Sequence, residues 1–291
     1  MTAAAKSPET PPVDSNRPAS AGDVLSLEAL LVARAYLYTM FHKLAGGEPT
    51  AELVDLLLGD TMHDSLDEYA DDVEALASYR EFLDALREAD RDELVEAMRD
   101  EFSRCYIGPA SLPAVPLASP NITKDPSAVQ KRTLEVRRCY REHGLEPKRL
   151  QRVPDDHLSL ICAFCAHLAR RALAAFDAGD GPALALALRD QKGVVDEHLN
   201  SWMPDYAKAL RRSRTAIAYP QTAEALAMFA RADGSLLGEA AFWLEANPGA
   251  LELTVESEGD TPLKPVREAL HRLEAVRLFA LDENELVPAH G

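Results

Sequence analysis

The 291-residue chain is short of several things, and each shortage excludes a class. Cysteine is scarce: Cys105, Cys139, Cys162 and Cys165 are too few for a disulfide framework, so a reducing cytoplasm is expected. Aromatics make up 6%. Long runs rich in Val, Ile and Thr are missing, which argues against an all-β fold. Basic charge is in deficit, with 31 Lys+Arg against 48 Asp+Glu and a formal charge of −17. Phosphate binding needs dense Lys and Arg, so nucleic acid and anionic membrane are poor partners. The balance suits a basic ligand, or simple solubility. No apolar stretch reaches the roughly 18–20 uncharged residues of a membrane span, and no stable insertion is expected. Walker-type, GxGxxG, GxSxG and HExxH motifs are all missing, and no cofactor or metal is expected.

What is abundant is helix former. The chain holds 47 Ala and 41 Leu, about 30% of its residues. The expectation is an all-α fold, a single helical bundle of about nine to eleven helices with a long Pro-rich loop. Residues 1–22 are rich in Pro, Ala and Ser without an apolar core, and read as a disordered tail rather than a signal peptide. Leu25 to Leu44 carries apolar residues at 3–4 spacing and reads as an amphipathic helix, stopped by Gly46-Gly47. Thr50 is placed to cap a short helix, and Asp90 to cap one running to Tyr106. The strongly acidic stretch from Asp64 to Asp90 reads as helix with a solvated outer face. Residues 108–127 hold five prolines, so no helix should cross them. Helix resumes from Ser127 to His143, and again after Pro154-Asp155-Asp156, where an Asp is expected to cap. Further helices are expected at Pro182 to Leu199, Tyr206 to Arg212, Thr222 to Arg231, Ser235 to Glu245, and near the C-terminus up to Leu281.

Two local clusters could carry chemistry. Cys162-Ala-Phe-Cys165 lies within a helix and lacks the βαβ setting of a redox motif, so buried small hydrophobes are the plainer reading. Asp155-Asp156-His157 puts two acids and a histidine at a helix start. It suits capping, a binding role, or a small-molecule or nucleotide-binding site of hydrolase type. A purely structural helical partner of a regulatory complex is a third possibility.

Three segments then occur in order: Glu101-Phe-Ser-Arg-Cys-Tyr-Ile-Gly-Pro109; Leu112-Pro-Ala-Val-Pro-Leu-Ala-Ser119; and Val136-Arg-Arg-Cys-Tyr140 through Gly144-Leu145 to Pro154-Asp-Asp-His-Leu158. Tyr36-Leu37, Glu48-Pro49 and His198-Leu199-x-x-Trp202-x-Pro204 flank them. This set, over residues 25–245, resembles the TorD/DmsD/NarJ-type family of cytoplasmic chaperones. Cys105 stands where the family pattern has Leu, and Leu117-Ala118 where it has an aromatic followed by Glu or Gly.

The resemblance implies a non-enzymatic chaperone that binds the twin-arginine signal peptide of a molybdopterin oxidoreductase, and its apo catalytic subunit, before export. Carried over by position, the peptide groove would comprise Phe102, Cys105, Tyr106, Pro116, Leu117, Asp156 and His157, and Asp155 would join it as a second acid. Asp155 and Asp156 would meet the arginines. Pro109, Ser119, Arg137 and Tyr140 would support the loop. Residues 23–246 would form the chaperone domain, with 247–291 as a helical extension. The resemblance allows a monomer or a domain-swapped dimer.

Overall fold

The computed structural model describes residues 19–70, 73–108, 111–149, 152–212, 217–253 and 263–289. Most of the expected N-terminal tail, residues 1–18, lies outside the described residues. The chain enters helix earlier than expected, because Ser20 and Asp23 form a reciprocal capping box: Ser20 Oγ accepts from Asp23 N, and Ser20 N donates to the Asp23 carboxylate at 2.8 Å.

In chain order the elements are α1 (Ala21–Gly46), α2 (Ala51–Leu57), α3 (Asp60–Ala70), α4 (Glu74–Arg87) and α5 (Arg91–Phe102), which runs into a π-turn at Ser103–Ile107. Then come α6 (Ala118–Ile122), α7 (Pro126–Glu142), β1 (Leu145–Pro147), α8 (Leu158–Asp177) and α9 (Gly181–Val195), extended by a second π-turn at Asp196–Asn200. Last are α10 (Met203–Arg211), α11 (Tyr219–Ala246), α12 (Lys264–Ala275) and β2 (Leu286–Pro288). The fold is all-α. Without the single-turn α6, the helices number eleven among the described residues.

Several caps act as their sequence suggests. Thr50 accepts from Leu53 N, and Asp90 from Asp92 N and Glu93 N. Elsewhere tertiary context overrides the local signal. From Leu27 onward α1 is buried on nearly every side, not amphipathic, because it is the bundle's central element. It packs most extensively on α8 and also touches α3, α11 and α12. Both α1 and α8 are long and apolar enough to cross a membrane by length and composition, contrary to the sequence expectation. Here they bury that surface against each other and the surrounding helices. The acidic stretch divides into α3 and α4, whose Tyr69, Leu76, Tyr79 and Leu83 point into the core. In the Pro-rich segment α6 forms despite Pro120. That residue is the third of the helix, where its missing N–H is not needed.

The largest departure is α11, one continuous helix where two were expected around Ala232-Asp233-Gly234. Asp233 is fully buried and accepts four hydrogen bonds. Arg34 donates from Nε (2.5 Å) and Nη2 (3.3 Å), Tyr38 from its hydroxyl (2.7 Å) and Tyr69 from its own (2.9 Å). Gly234 serves close packing: a Cβ there would sit 2.9 Å from Asp196 Oδ1 on the second π-turn.

The C-terminal segment packs into the same core. Its helix ends at Ala275 rather than Leu281. Lys43 Nζ donates to the carbonyls of Glu274 (3.1 Å) and Val276 (2.8 Å), closing the C-terminal end of α12. The chain then passes so close to α1 that a Cβ on Gly47 would fall 2.7 Å from Leu278 Cβ and 2.8 Å from the Phe279 carbonyl. β2 finishes by pairing antiparallel with β1.

Removing one partner of a buried ion pair leaves an uncompensated charge, which costs about 3–5 kcal/mol. Asp233→Ala should therefore lower unfolding free energy by about that amount in urea titrations. The double change Arg34→Met/Asp233→Leu should recover only part of the loss, because it removes both charges but leaves the Tyr38 and Tyr69 hydroxyls without an acceptor, and adding Tyr38→Phe and Tyr69→Phe should recover more.

Candidate functional site

The three segments that carry the family resemblance meet at the start of α8. The first is the end of α5. Glu101 lies near the end of α5, just before the π-turn. It is fully buried and turned outward to α11, accepting from the backbone N–H of Ile217 (2.7 Å), Ala218 (2.7 Å) and Tyr219 (3.3 Å). Burial pushes its pKa up against the lowering effect of these three donors. The π-turn that follows closes with Gly108 N donating to Ser103 O at 2.8 Å, and Gly108 leaves it at φ 79°, a left-handed conformation that suits glycine. Phe102 and Tyr106 stack, with ring centroids 5.1 Å apart. Tyr219 packs on both, at 6.0 and 5.4 Å, and Tyr206 lies beside Tyr106. Cys105 is fully buried in this cluster, and burial pushes its thiol up to about 12.

The second segment is the loop before α6. It is held almost wholly through main-chain atoms. Pro116 O accepts from Leu158 N (2.9 Å), and Ala118 N donates to Asp156 O (3.0 Å). The result is an antiparallel bridge between Leu117 and His157. Asn121 Nδ2 donates to the carbonyls of Val115 and Leu117, both at 2.7 Å. Ser119 N donates to the Asp156 carboxylate at 2.8 Å, and Thr133 of α7 reaches the same carboxylate at 3.3 Å.

The third segment supplies Asp155, Asp156 and His157. Arg137 Nε donates to Asp155 Oδ2 at 2.5 Å, and the Tyr140 hydroxyl donates to the Asp155 carbonyl at 2.8 Å. Burial raises the Asp155 pKa, while Arg137 opposes the rise. His157, not an Asp, is the N-cap of α8: its Nδ1 accepts from Ser159 N at 3.2 Å.

The structure thus brings together Phe102, Tyr106, Leu117 and His157. The Tyr106 and His157 rings are 6.5 Å apart, and the backbone of Leu117 pairs with that of His157. Pro116 is buried beneath the bridge. Pro109 lies outside the described residues. Asp155 and Asp156 are not at a rim. Each is 1% exposed: the Asp156 carboxylate is engaged by the loop and α7, and Asp155 Oδ2 by Arg137 of α7, while Asp155 Oδ1 is buried without a hydrogen bond among the described residues. Next to the cluster in sequence, Ile107 and Val115 are large exposed hydrophobes. As for catalysis, Ser159 Oγ lies 2.8 Å from His157 Nδ1, but Ser159 is fully buried and its hydroxyl donates to Asn284 Oδ1 at 2.7 Å. Asn284 Nδ2 in turn donates to Gly46 O, tying the C-terminal segment to the base of the site. Cys162 and Cys165 face the core, where burial pushes both thiols up.

Sequence reasoning missed Glu101, Thr133, Asn121, Tyr206 and Tyr219. None of them carries a local signal, because each depends on contacts that form only in the folded chain.

A family model described as nitrate reductase delta subunit matches residues 66–208. The Tat proofreading chaperone DmsD of Salmonella typhi is 28% identical over 145 residues, 50% of this chain and 66% of that protein. The chaperone protein TorD of Vibrio cholerae is 28% identical over 105 residues, 36% of this chain and 46% of that protein. TorD of Vibrio vulnificus is 24% identical over 183 residues, 62% of this chain and 84% of that protein. In the first two matches the chain spans less than two thirds of the relative's own length. No solved structure matches significantly.

Burial lowers the His157 pKa to about 4, with Asp156 partly opposing, and lowers that of His42 to about 3. The unfolded chain takes up a proton near pH 6.5 and the folded chain does not. The stability contributed by neutral His157 is therefore complete above about pH 6.5 and lost as pH falls toward about 4. His157→Asn keeps a good N-cap and removes the titration. Its urea midpoint should match wild type near neutral pH and fall less steeply on acidification.

Proposed function

We propose that this chain, which belongs to the TorD/DmsD/NarJ-type family, is a non-enzymatic maturation chaperone of the cytoplasm that binds the twin-arginine signal peptide of a molybdenum-cofactor oxidoreductase. It holds the apo catalytic subunit until cofactor insertion is complete. One observation carries this reading: three segments far apart in sequence, the same three that resemble the family, converge on His157 through Tyr106 and Leu117.

The chemistry of the surface agrees. A signal peptide offers an arginine pair and then an apolar stretch. Tyr106 and Leu117 are half-buried, and Ile107 and Val115 beside them are exposed, so apolar area is available next to a rigid base. Burial of such area contributes about 25 cal/mol per Å². The groove residues of this reading are Phe102, Cys105, Tyr106, Pro116, Leu117 and His157. Phe102, Cys105 and Pro116 act from beneath, shaping what Tyr106 and Leu117 present. Asp156 sets the loop in place through Ser119 and Thr133, Asp155 pairs with Arg137 of α7, and the arginines are met elsewhere.

Calorimetry with the leader of a molybdopterin oxidoreductase encoded beside this gene should give saturable 1:1 binding. Truncating a central aromatic contact typically costs more than about 1 kcal/mol, so Tyr106→Ala and Leu117→Asp should each weaken binding about tenfold or more. Asp156→Ala should weaken binding by releasing the loop, and should also lower the melting temperature. Failure of several twin-arginine leaders to give saturable heat would refute the reading.

A further inference from the structure

With Asp155 and Asp156 buried, the structure raises the question of where an arginine would be read. An open cleft of about 420 Å³ lies between α4 and α11, with Arg211 at the end of α10 among its lining residues. Its size falls within the roughly 300–1,000 Å³ of small-ligand sites. Tyr79 and Phe82 of α4 line it as a near-parallel pair, with centroids 6.0 Å apart and planes at 23°. Tyr79 is fixed by a 2.9 Å hydrogen bond between its hydroxyl and Thr222 Oγ1. Glu74 and Glu224 bring two carboxylates to the same cleft. Gln221 lines it as well, and its buried side-chain oxygen accepts no hydrogen bond among the described residues.

A planar aromatic face, carboxylates and an unused amide oxygen together match a guanidinium. That group stacks on rings and donates in several directions within one plane, whereas an ammonium does neither as well. The chain itself shows the match: the guanidinium of Arg211, at the end of α10, already sits on Glu224. Both partners of this pair are about half exposed, so exchanging one arginine for another costs little.

We propose that this cleft is a guanidinium site for an arginine of a bound basic peptide, and that Arg211 occupies Glu224 until the peptide's arginine replaces it. The identity of that peptide as a twin-arginine leader rests on the function proposed above; the cleft's preference for arginine does not.

The test uses the full chain and fluorescence anisotropy with three probes: a labelled twin-arginine leader, its Lys-Lys counterpart, and a short labelled Gly-Arg-Arg-Gly peptide with no apolar stretch. Glu224→Gln and Phe82→Leu should weaken leader binding about tenfold and erase the preference for Arg-Arg over Lys-Lys. Arg211→Ala should tighten both arginine probes several-fold. Should Phe82→Leu unsettle the fold, Arg211→Ala at its exposed position still decides, because unchanged or weaker binding overturns the proposal. Leader binding with the arginine preference intact in Glu224→Gln overturns the cleft and leaves the chaperone reading standing. Binding of the short peptide that Glu224→Gln removes, with no leader binding, supports the cleft and overturns the leader as ligand. If neither peptide binds wild type, both readings fall.

Discussion

The Asp233 carboxylate has no access to water, and the bundle is arranged around satisfying it. A buried carboxylate left unpaired costs several kcal/mol, so the helices that reach it have few alternatives. Arg34 and Tyr38 come from α1, Tyr69 from α3, and Asp233 itself from the middle of α11. One residue on, Gly234 admits the π-turn after α9 against the same helix. The register of α11 is thereby set, and with it the N-terminal turn that Glu101 grips. Glu101 is adjacent to Phe102 and one turn before Cys105 and Tyr106. Two elements, α11 and the Glu101 carboxylate, thus lie between the charge pair in the core and Tyr106.

This explains which parts of the molecule were legible in sequence. Caps act over three or four residues, so Thr50 and Asp90 could be identified from their neighbours alone. The all-α class followed from composition in the same way. Asp233-Gly234 misled because its local meaning, a break, is the opposite of its tertiary one: a counter-ion for Arg34 next to a close helix crossing. α1 misled similarly. Its polar residues suggested a wet face, but Arg34, Thr39, His42 and Lys43 each find a partner inside. The acids at 155 and 156 carry no sequence mark that distinguishes a carboxylate facing a ligand from one serving the loop. Only the folded path of residues 115–119 decides that.

The C-terminal segment shows the same dependence on context. By sequence it looked like an addition beyond the family-like region. In the fold it supplies β2 to pair with β1, places two carbonyls on Lys43, and sends Asn284 between Gly46 and Ser159. Burial lowers the Lys43 pKa to about 8, and the nearby Glu285 and Glu274 oppose that fall. The segment therefore braces the end of α1 and the first turn of α8, the turn that carries His157.

The loop at 115–119 is fastened by its own peptide groups: carbonyls of residues 115, 116 and 117, and amides of 118 and 119. Peptide groups are the same in every residue but proline, so this fastening is blind to most changes of side chain. Val115 and Leu117 can be exchanged while the strand they stand on keeps its course. The anchoring residues Asp156, Asn121 and Thr133 carry the architecture, and the outward positions carry the vocabulary. Such a division lets the outward side chains vary on a fixed frame at little cost to folding.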